Sequence, residues 1–186
     1  SGCSNPAPPI RNNPNIRKPI HFYPERILMK LNDRVAIVTG ASRGIGKTIA
    51  LTLAQNGCDL VLAARDQKAL NDLSGDISAI GRKSLVVKTD MSREKDIKKL
   101  IERTLQKFNK IDILVNNAGI GIFDRVIDLK TKNWDEMFEV NVRGVFLATK
   151  YALPSMMARK QGAIVNIASL AGKNAMVGGT GYFASK

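Results

Sequence analysis

Five short, mostly apolar runs, broken only by Asp112 and Asn166 and separated by helix-patterned segments, constrain this chain more than any other feature. They cover residues 35–38 (ending in Thr39-Gly40), 60–63, 85–87, 111–115 and 163–167. A run that is apolar at every position has both faces buried, so it belongs in a sheet covered on both sides. The intervening segments carry helical periodicity. The first spans 46–56, with Ile45, Ile49, Leu53 and Ala54 on one face, and the second 68–80. The third, 92–108, has Ser92 as its cap and an apolar face of Ile97, Leu100, Ile101, Leu105 and Phe108. The fourth, 134–157, is long and is expected to kink near Pro154. Alternation of strand and helix predicts an α/β fold, and right-handed crossovers leave few topologies. The reading is a doubly wound parallel sheet of the Rossmann-like kind. Such a fold has about six strands. Five are counted here, and Lys186 falls within a turn of a helix start. The expectation is a sheet lacking its last crossover and at least one strand.

Composition narrows the function classes. Of the 186 residues 44% are hydrophobic and 24% charged, which suits a soluble globular domain. No run approaches the roughly 18 apolar residues that span a bilayer, so no membrane segment is expected. Ser1-Gly2-Cys3 looks like a lipoprotein cleavage site, but no apolar run precedes it. The two cysteines, Cys3 and Cys58, make neither a disulfide framework nor a metal site, which fits a reducing, cytoplasmic compartment. The lone histidine, His21, is read as solvated, and no zinc or other metal is expected. The net charge is +13, spread along helical faces, as in Lys95, Lys98, Lys99, Arg103 and Lys107. It reads as a solubilising surface or as an attraction for phosphate-bearing partners. No basic stripe has interleaved aromatics, so nucleic acid is not an expected partner. Residues 1–28, rich in Pro and Asn, read as a disordered leader or a frame artefact, with Met29 a candidate start.

The loop Thr39-Gly40-Ala41-Ser42-Arg43-Gly44-Ile45-Gly46 lies between the first strand and the first helix. Glycines there allow a tight turn and close approach of backbone to a pyrophosphate, and the helix N-terminus supplies free N–H groups and a positive dipole end. Residues 41–48 also nearly fit a triphosphate-binding P-loop, with Ala41 in the first glycine's place. In that reading Lys47 would meet phosphates, Thr48 magnesium, and Asp90 would support the metal.

Further along stand Asn116-Asn117-Ala118-Gly119, then Asn141, Ser169 and Tyr182-Phe183-Ala184-Ser185-Lys186. Together with the glycine loop, this ordered set resembles the short-chain dehydrogenase/reductase family. The resemblance covers residues 31–186 and weighs against the P-loop reading. It is closest in pattern to 3-oxoacyl-carrier-protein reductases, enzymes of fatty acid biosynthesis. The residue chemistry agrees. Tyr182 and Lys186 are four apart and share a helix face, and a cation beside a phenol favours the phenolate. Carbonyl reduction needs a hydride at carbon and a proton at oxygen.

By resemblance, Tyr182 is the catalytic acid/base, Lys186 assists it and bonds the nicotinamide ribose, and both count among the cofactor-binding residues. Ser169 positions the carbonyl. Asn141 bends the long helix and holds a water in the proton relay. Asn116 braces the sheet, while Asn117, Ala118 and Gly119 lie along the cofactor. Gly40, Ser42, Arg43, Gly44, Ile45 and Gly46 hold the pyrophosphate, and Asp90 with Met91 meets the adenine. Residues 29–186 are then an NAD(P)-binding domain, incomplete at its C-terminus.

Cofactor choice turns on the end of the second strand, where NAD-dependent relatives carry an acidic residue. Ala64 takes that place and Arg65 follows. With Arg43 this offers two guanidinium groups to a 2′-phosphate, so NADP(H) is favoured over NAD(H). A shift of the alignment by two residues would put Asp66 there instead. The implied function is NADPH-dependent reduction of a ketone or 3-oxoacyl group, or the reverse oxidation. The substrate is a small carbonyl compound or acyl thioester, bordered by Ile120, Ile122, Phe123 and residues 171–180. The alternative is a non-catalytic dinucleotide-binding module or an inactive fragment. The resemblance also implies a homo-oligomer, paired through the long helix and the helix at Tyr182.

Overall fold

The order in which the apolar runs pair decides where a ligand can bind. In the computed structural model, which describes residues 31–174 and 177–186, five strands form one parallel sheet in the order β3-β2-β1-β4-β5. They are β1 (Val35–Thr39), β2 (Asp59–Ala64), β3 (Ser84–Lys88), β4 (Ile113–Asn116) and β5 (Ala163–Asn166). Between them lie α1 (Gly44–Gln55), α2 (Gln67–Ala79), α3 (Glu94–Phe108), α4 (Thr131–Phe138) and α5 (Gly144–Ala158); α6 (Thr180–Ala184) follows β5. The chain runs outward from β1 to β3, then crosses to β4 and β5. The strand order therefore reverses between β1 and β4, where doubly wound sheets open a crevice. The expected leader, residues 1–28, and the candidate start at Met29 lie outside the described residues.

Strand periodicity divides the core in two. Ile37, Val61 and Ala63 point to the face covered by α3 and α5, with Ile97, Leu100, Leu114 and Ala148. Val38, Leu60 and Leu62 point to the other face, with Ala50, Ala54, Leu70, Leu73 and Ile77 of α1 and α2. Each such Leu or Ile, wholly buried, contributes about 1.5–3 kcal/mol of transfer free energy.

The base of the sheet is pinned by Asp112. Its buried carboxylate accepts from Val35 N (2.9 Å) and pairs with Arg159 (2.9 Å), Arg34 (3.4 Å) and Lys110 (3.6 Å). Burial pushes this carboxyl's pKa upward, but the Val35 and Arg159 hydrogen bonds and the nearby cations outweigh burial and hold it below the ordinary value.

Two expectations need correction. Ser92 does not cap α3, which begins at Glu94 with no side-chain cap. Ser92 stands one residue ahead of the cap position, Arg93, and donates both its N–H (3.0 Å) and its hydroxyl (2.8 Å) to Asp90. The long helix is broken at a π-helical segment, Glu139–Arg143, between α4 and α5, around the Asn141 at which the resemblance placed a bend, whereas Pro154 lies inside α5. Among the described residues, no helix is long and apolar enough to cross a membrane.

Candidate functional site: a dinucleotide-type cleft and a tyrosine–lysine pair

At the switch point, a cleft of about 520 Å³ opens over the carboxyl ends of β1, β2, β3 and β4. That is the size range of small-molecule sites. Its floor is a hydrogen-bond knot. The buried Thr39 hydroxyl donates to Val115 O (3.2 Å) and accepts from the N–H groups of Asn117 and Ala118 (3.0 Å each). The Asn117 amide donates back to Thr39 O (2.9 Å) and Gly40 O (3.3 Å). The turn leaving β4 is thereby locked to the loop leaving β1.

That lock requires glycine at 46, where a side chain would overlap Gly40 O and Asn117 Nδ2. Gly44 sits at φ +54° with open space before its missing Cβ, so the backbone lies bare at the start of α1. The first turn of α1 carries no acidic residue, leaving its N–H groups and positive dipole end for an anion. A dinucleotide fits this cradle: bare backbone at a helix start, with Arg43 and Arg65 on the same cleft.

Every expected cofactor residue other than Tyr182 and Lys186 lines this cleft: Gly40, Ser42, Arg43, Gly44, Ile45, Gly46, Arg65, Asp90, Met91, Asn117, Ala118 and Gly119. Ile120, expected at the substrate, lines it too, as do Thr89 and Val140, which nothing in their local sequence signalled. Ala64 ends β2. Asp66 also borders the cleft, but its carboxylate caps α2 by accepting from Ala69 N (3.0 Å). For Asp90, burial favours the neutral acid. The two Ser92 hydrogen bonds and the charges of Arg65 and Arg93 outweigh that and lower its pKa. Lys47 turns away to pair with Asp76 on α2 (3.4 Å), and Thr48 bonds Gly44 O (3.2 Å), so neither is aimed at the loop as a P-loop would need.

Of the expected catalytic residues, Asn141, Tyr182 and Lys186 meet beyond Gly119, while Ser169 stands on the turn after β5. Lys186 donates to Ile167 O (3.1 Å), and its Nζ lies 6.0 Å from the Tyr182 ring centroid. A Cβ on Gly119 would stand 3.2 Å from both Lys186 Nζ and Asn141 Oδ1, so the three meet at one point. Asn141 lies within the π segment and is buried. It accepts from Ile120 N (2.9 Å) and donates to Ile120 O and Ser185 Oγ (2.8 Å each). Both its amide hydrogens are thus engaged by the protein. Ser185 in turn donates to Tyr182 O (2.8 Å). Asn141 therefore clamps the β4 exit to α6, a role that sequence spacing did not reveal. Ser169 follows β5 and caps the turn Leu170–Gly172, its Oγ accepting from Ala171 N (3.1 Å). Asn116 pairs across the sheet with Asn166 (2.8 Å).

Comparison with known proteins bears on this arrangement. A family model described as short chain dehydrogenase matches residues 34–186. An uncharacterized oxidoreductase of Listeria monocytogenes is 39% identical over 158 residues, covering 85% of this chain and 64% of the relative. A 3-oxoacyl-[acyl-carrier-protein] reductase of Synechocystis is 40% identical over 157 residues, covering 84% of this chain and 64% of the relative. The chain thus spans 64% of the length of these two curated relatives. Among solved structures, a metagenomic short-chain oxidoreductase in complex with NADP matches at TM-score 0.82 and 40% identity, over 84% of this chain and 72% of that one. NAD+-bound xylitol dehydrogenase matches at TM-score 0.81 and 32% identity, over 84% of this chain and 61% of that one.

Proposed function

The chain belongs to the short-chain dehydrogenase family, and on that premise we propose that the protein reduces a ketone or 3-oxoacyl group to an alcohol with NADPH, or runs the reverse. The observation that carries this reading is the meeting of Lys186, Asn141 and Gly119, with Tyr182 beside them, at the end of the cleft that begins at the glycine loop. When bound, the nicotinamide supplies hydride to the carbonyl carbon. The Tyr182 hydroxyl gives its proton to the carbonyl oxygen, so one O–H bond breaks as the alcohol's forms. The Lys186 ammonium stabilises the negative charge left on the phenol and reaches the ribose. Ser169 hydrogen-bonds the same carbonyl oxygen. Asn141 acts as a positioning residue, holding Ile120 and Ser185 in register.

Residues 42–46 would hold the pyrophosphate at the start of α1, Asp90 and Met91 the adenine, and Asn117 to Gly119 the nicotinamide half. The preference for NADPH rests on Arg43 and Arg65 lining the cleft while the Asp66 carboxylate is spent on α2. Self-association is part of the same proposal. Val142, Phe146, Leu153 and Met157 recur at helical spacing and are 44%, 60%, 39% and 66% exposed.

The test follows NADPH consumption by the full-length protein against a panel of ketones and 3-oxoacyl thioesters. Tyr182→Phe should lower turnover by about 10²–10⁴-fold and leave NADPH affinity unchanged. Retention of more than about a tenth of the wild-type rate would overturn the acid/base role.

A further inference from the structure

Large apolar side chains stand exposed on the two segments that follow β4 and β5. Phe123, Val126 and Ile127 follow β4 and are 64%, 66% and 82% exposed. Leu170 and Val177 follow β5 and are 76% and 96% exposed. A parallel bridge between Asp124 and Gly179 joins the two segments. Arg125 in the first is paired through Nε with Asp128 (2.5 Å) on the exposed surface.

Phe123 is held in a defined place. Its ring centroid lies 5.4 Å from that of Tyr182 at an interplanar angle of 51°. A Cβ on Gly121 would meet Phe123 Cε2 at 3.0 Å and Tyr182 Cδ2 at 3.2 Å, so both rings crowd against this glycine. Gly179, at the other end of the bridge, lies under the Phe183 ring, where a side chain would overlap it. One ring edge of Phe123 is therefore packed against the proton donor while most of the side chain faces outward. A ring in that position forms an apolar wall beside the Tyr182 phenol.

We infer that Phe123 is a specificity-determining residue: its exposed ring receives an apolar substituent of the substrate and so brings the carbonyl oxygen to the Tyr182 hydroxyl. The substrate class is then a carbonyl carrying an aryl or alkyl group, taken ahead of a polyhydroxylated ketose, whose hydroxyls would lose water against this wall. The inference rests on the proposed reduction and deepens it.

The test compares acetophenone with an unmodified ketose in the full-length protein, in wild type, Phe123→Ala and Phe123→Leu. Turnover is read as kcat/KM with NADPH, and binding of acetophenone to the NADP⁺-loaded protein is read separately by ligand-observed NMR. Wild type should favour acetophenone. Phe123→Ala should lower the acetophenone-to-ketose ratio about tenfold or more, through KM, with NADPH affinity unchanged, and Phe123→Leu should restore most of it. Equal losses on both substrates, or an unchanged ratio, would overturn the inference. Saturable acetophenone binding that Phe123→Ala weakens, without turnover of any carbonyl, would sink the proposed reduction and leave the apolar subsite standing. Ketose turnover without acetophenone binding would do the reverse. Loss of self-association in Phe123→Ala with acetophenone KM unchanged would assign the face to a second copy and overturn the subsite.

Discussion

Replacing Asn141 with alanine tests whether the π segment is a clamp. The side chain makes three hydrogen bonds, at 2.9, 2.8 and 2.8 Å, and the residue is only 7% exposed. Asn141→Ala strands the N–H and the carbonyl of Ile120 and removes one partner of Ser185, which keeps its bond to Tyr182 O. Ile120 is half-buried, so water recovers part of the loss. Net values of about 0.5–1.5 kcal/mol per bond then apply, and the three together come to about 3 kcal/mol. The assay is urea unfolding of the full-length protein at neutral pH, with the change taken from the midpoint at constant m. Asn141→Asp keeps an acceptor for Ile120 N but sets a carboxylate against Ile120 O, and should be at least as destabilised. A change below about 0.5 kcal/mol in Asn141→Ala, the ordinary effect of a surface substitution, would refute the clamp. An unchanged kcat in a destabilised variant would refute the positioning role while leaving the structural one.

The Arg43→Ala, Arg65→Ala double variant should lose an NADPH preference of about a hundredfold, since charge-assisted hydrogen bonds contribute about 1.5–3 kcal/mol each. Arg65→Ala alone should lower kcat/KM with NADPH and leave that with NADH nearly unchanged; a parent that already prefers NADH contradicts the assignment. Gly46→Ala forces a methyl into Gly40 O and Asn117 Nδ2, an overpacking worth about 1–3 kcal/mol. NADPH affinity, measured by fluorescence titration, should fall about tenfold or more, and an unchanged affinity would show that the loop is free to move. Asp112 is held below its ordinary pKa in the fold, so its contribution is complete above the unfolded-state value of about 3.9 and is lost as pH falls through the folded-state value. Asp112→Asn should therefore cost about 1.5–3 kcal/mol near neutrality. The gap to wild type should narrow in acid, and a gap independent of pH would contradict the ion-pair account.

Much of the fold was legible because its signals are local. A run such as residues 60–63, short, apolar at every position and set between helix-patterned segments, reads as a strand covered on both faces, and five mostly apolar runs leave a doubly wound sheet; β5 departs from this, with Ala163, Val165 and Asn166 exposed. The glycine loop was legible for the same reason: Gly44 and Gly46 announce a turn that must be bare. Tyr182 and Lys186 were singled out by their spacing of four, but Lys186 stands just past α6, which ends at Ala184, and approaches the tyrosine from there.

What sequence could not decide is where polar groups find partners, because that depends on which distant segments the fold brings together. Asn141 meets Ile120 and Ser185 across 21 and 44 residues, and the helix yields as a π segment there, not at Pro154. Asp112 collects Val35 and Arg34 from 77 and 78 residues away, and Thr39 reaches Asn117 across 78. Even the short-range cap of α3 was misread, since Ser92 stands one residue ahead of the cap position and bonds Asp90. Apolar periodicity sets the strands and helices because burial is non-directional and sums along a segment. Hydrogen bonds are directional and exclusive, so the choice among competing partners is made only when tertiary packing fixes their distances.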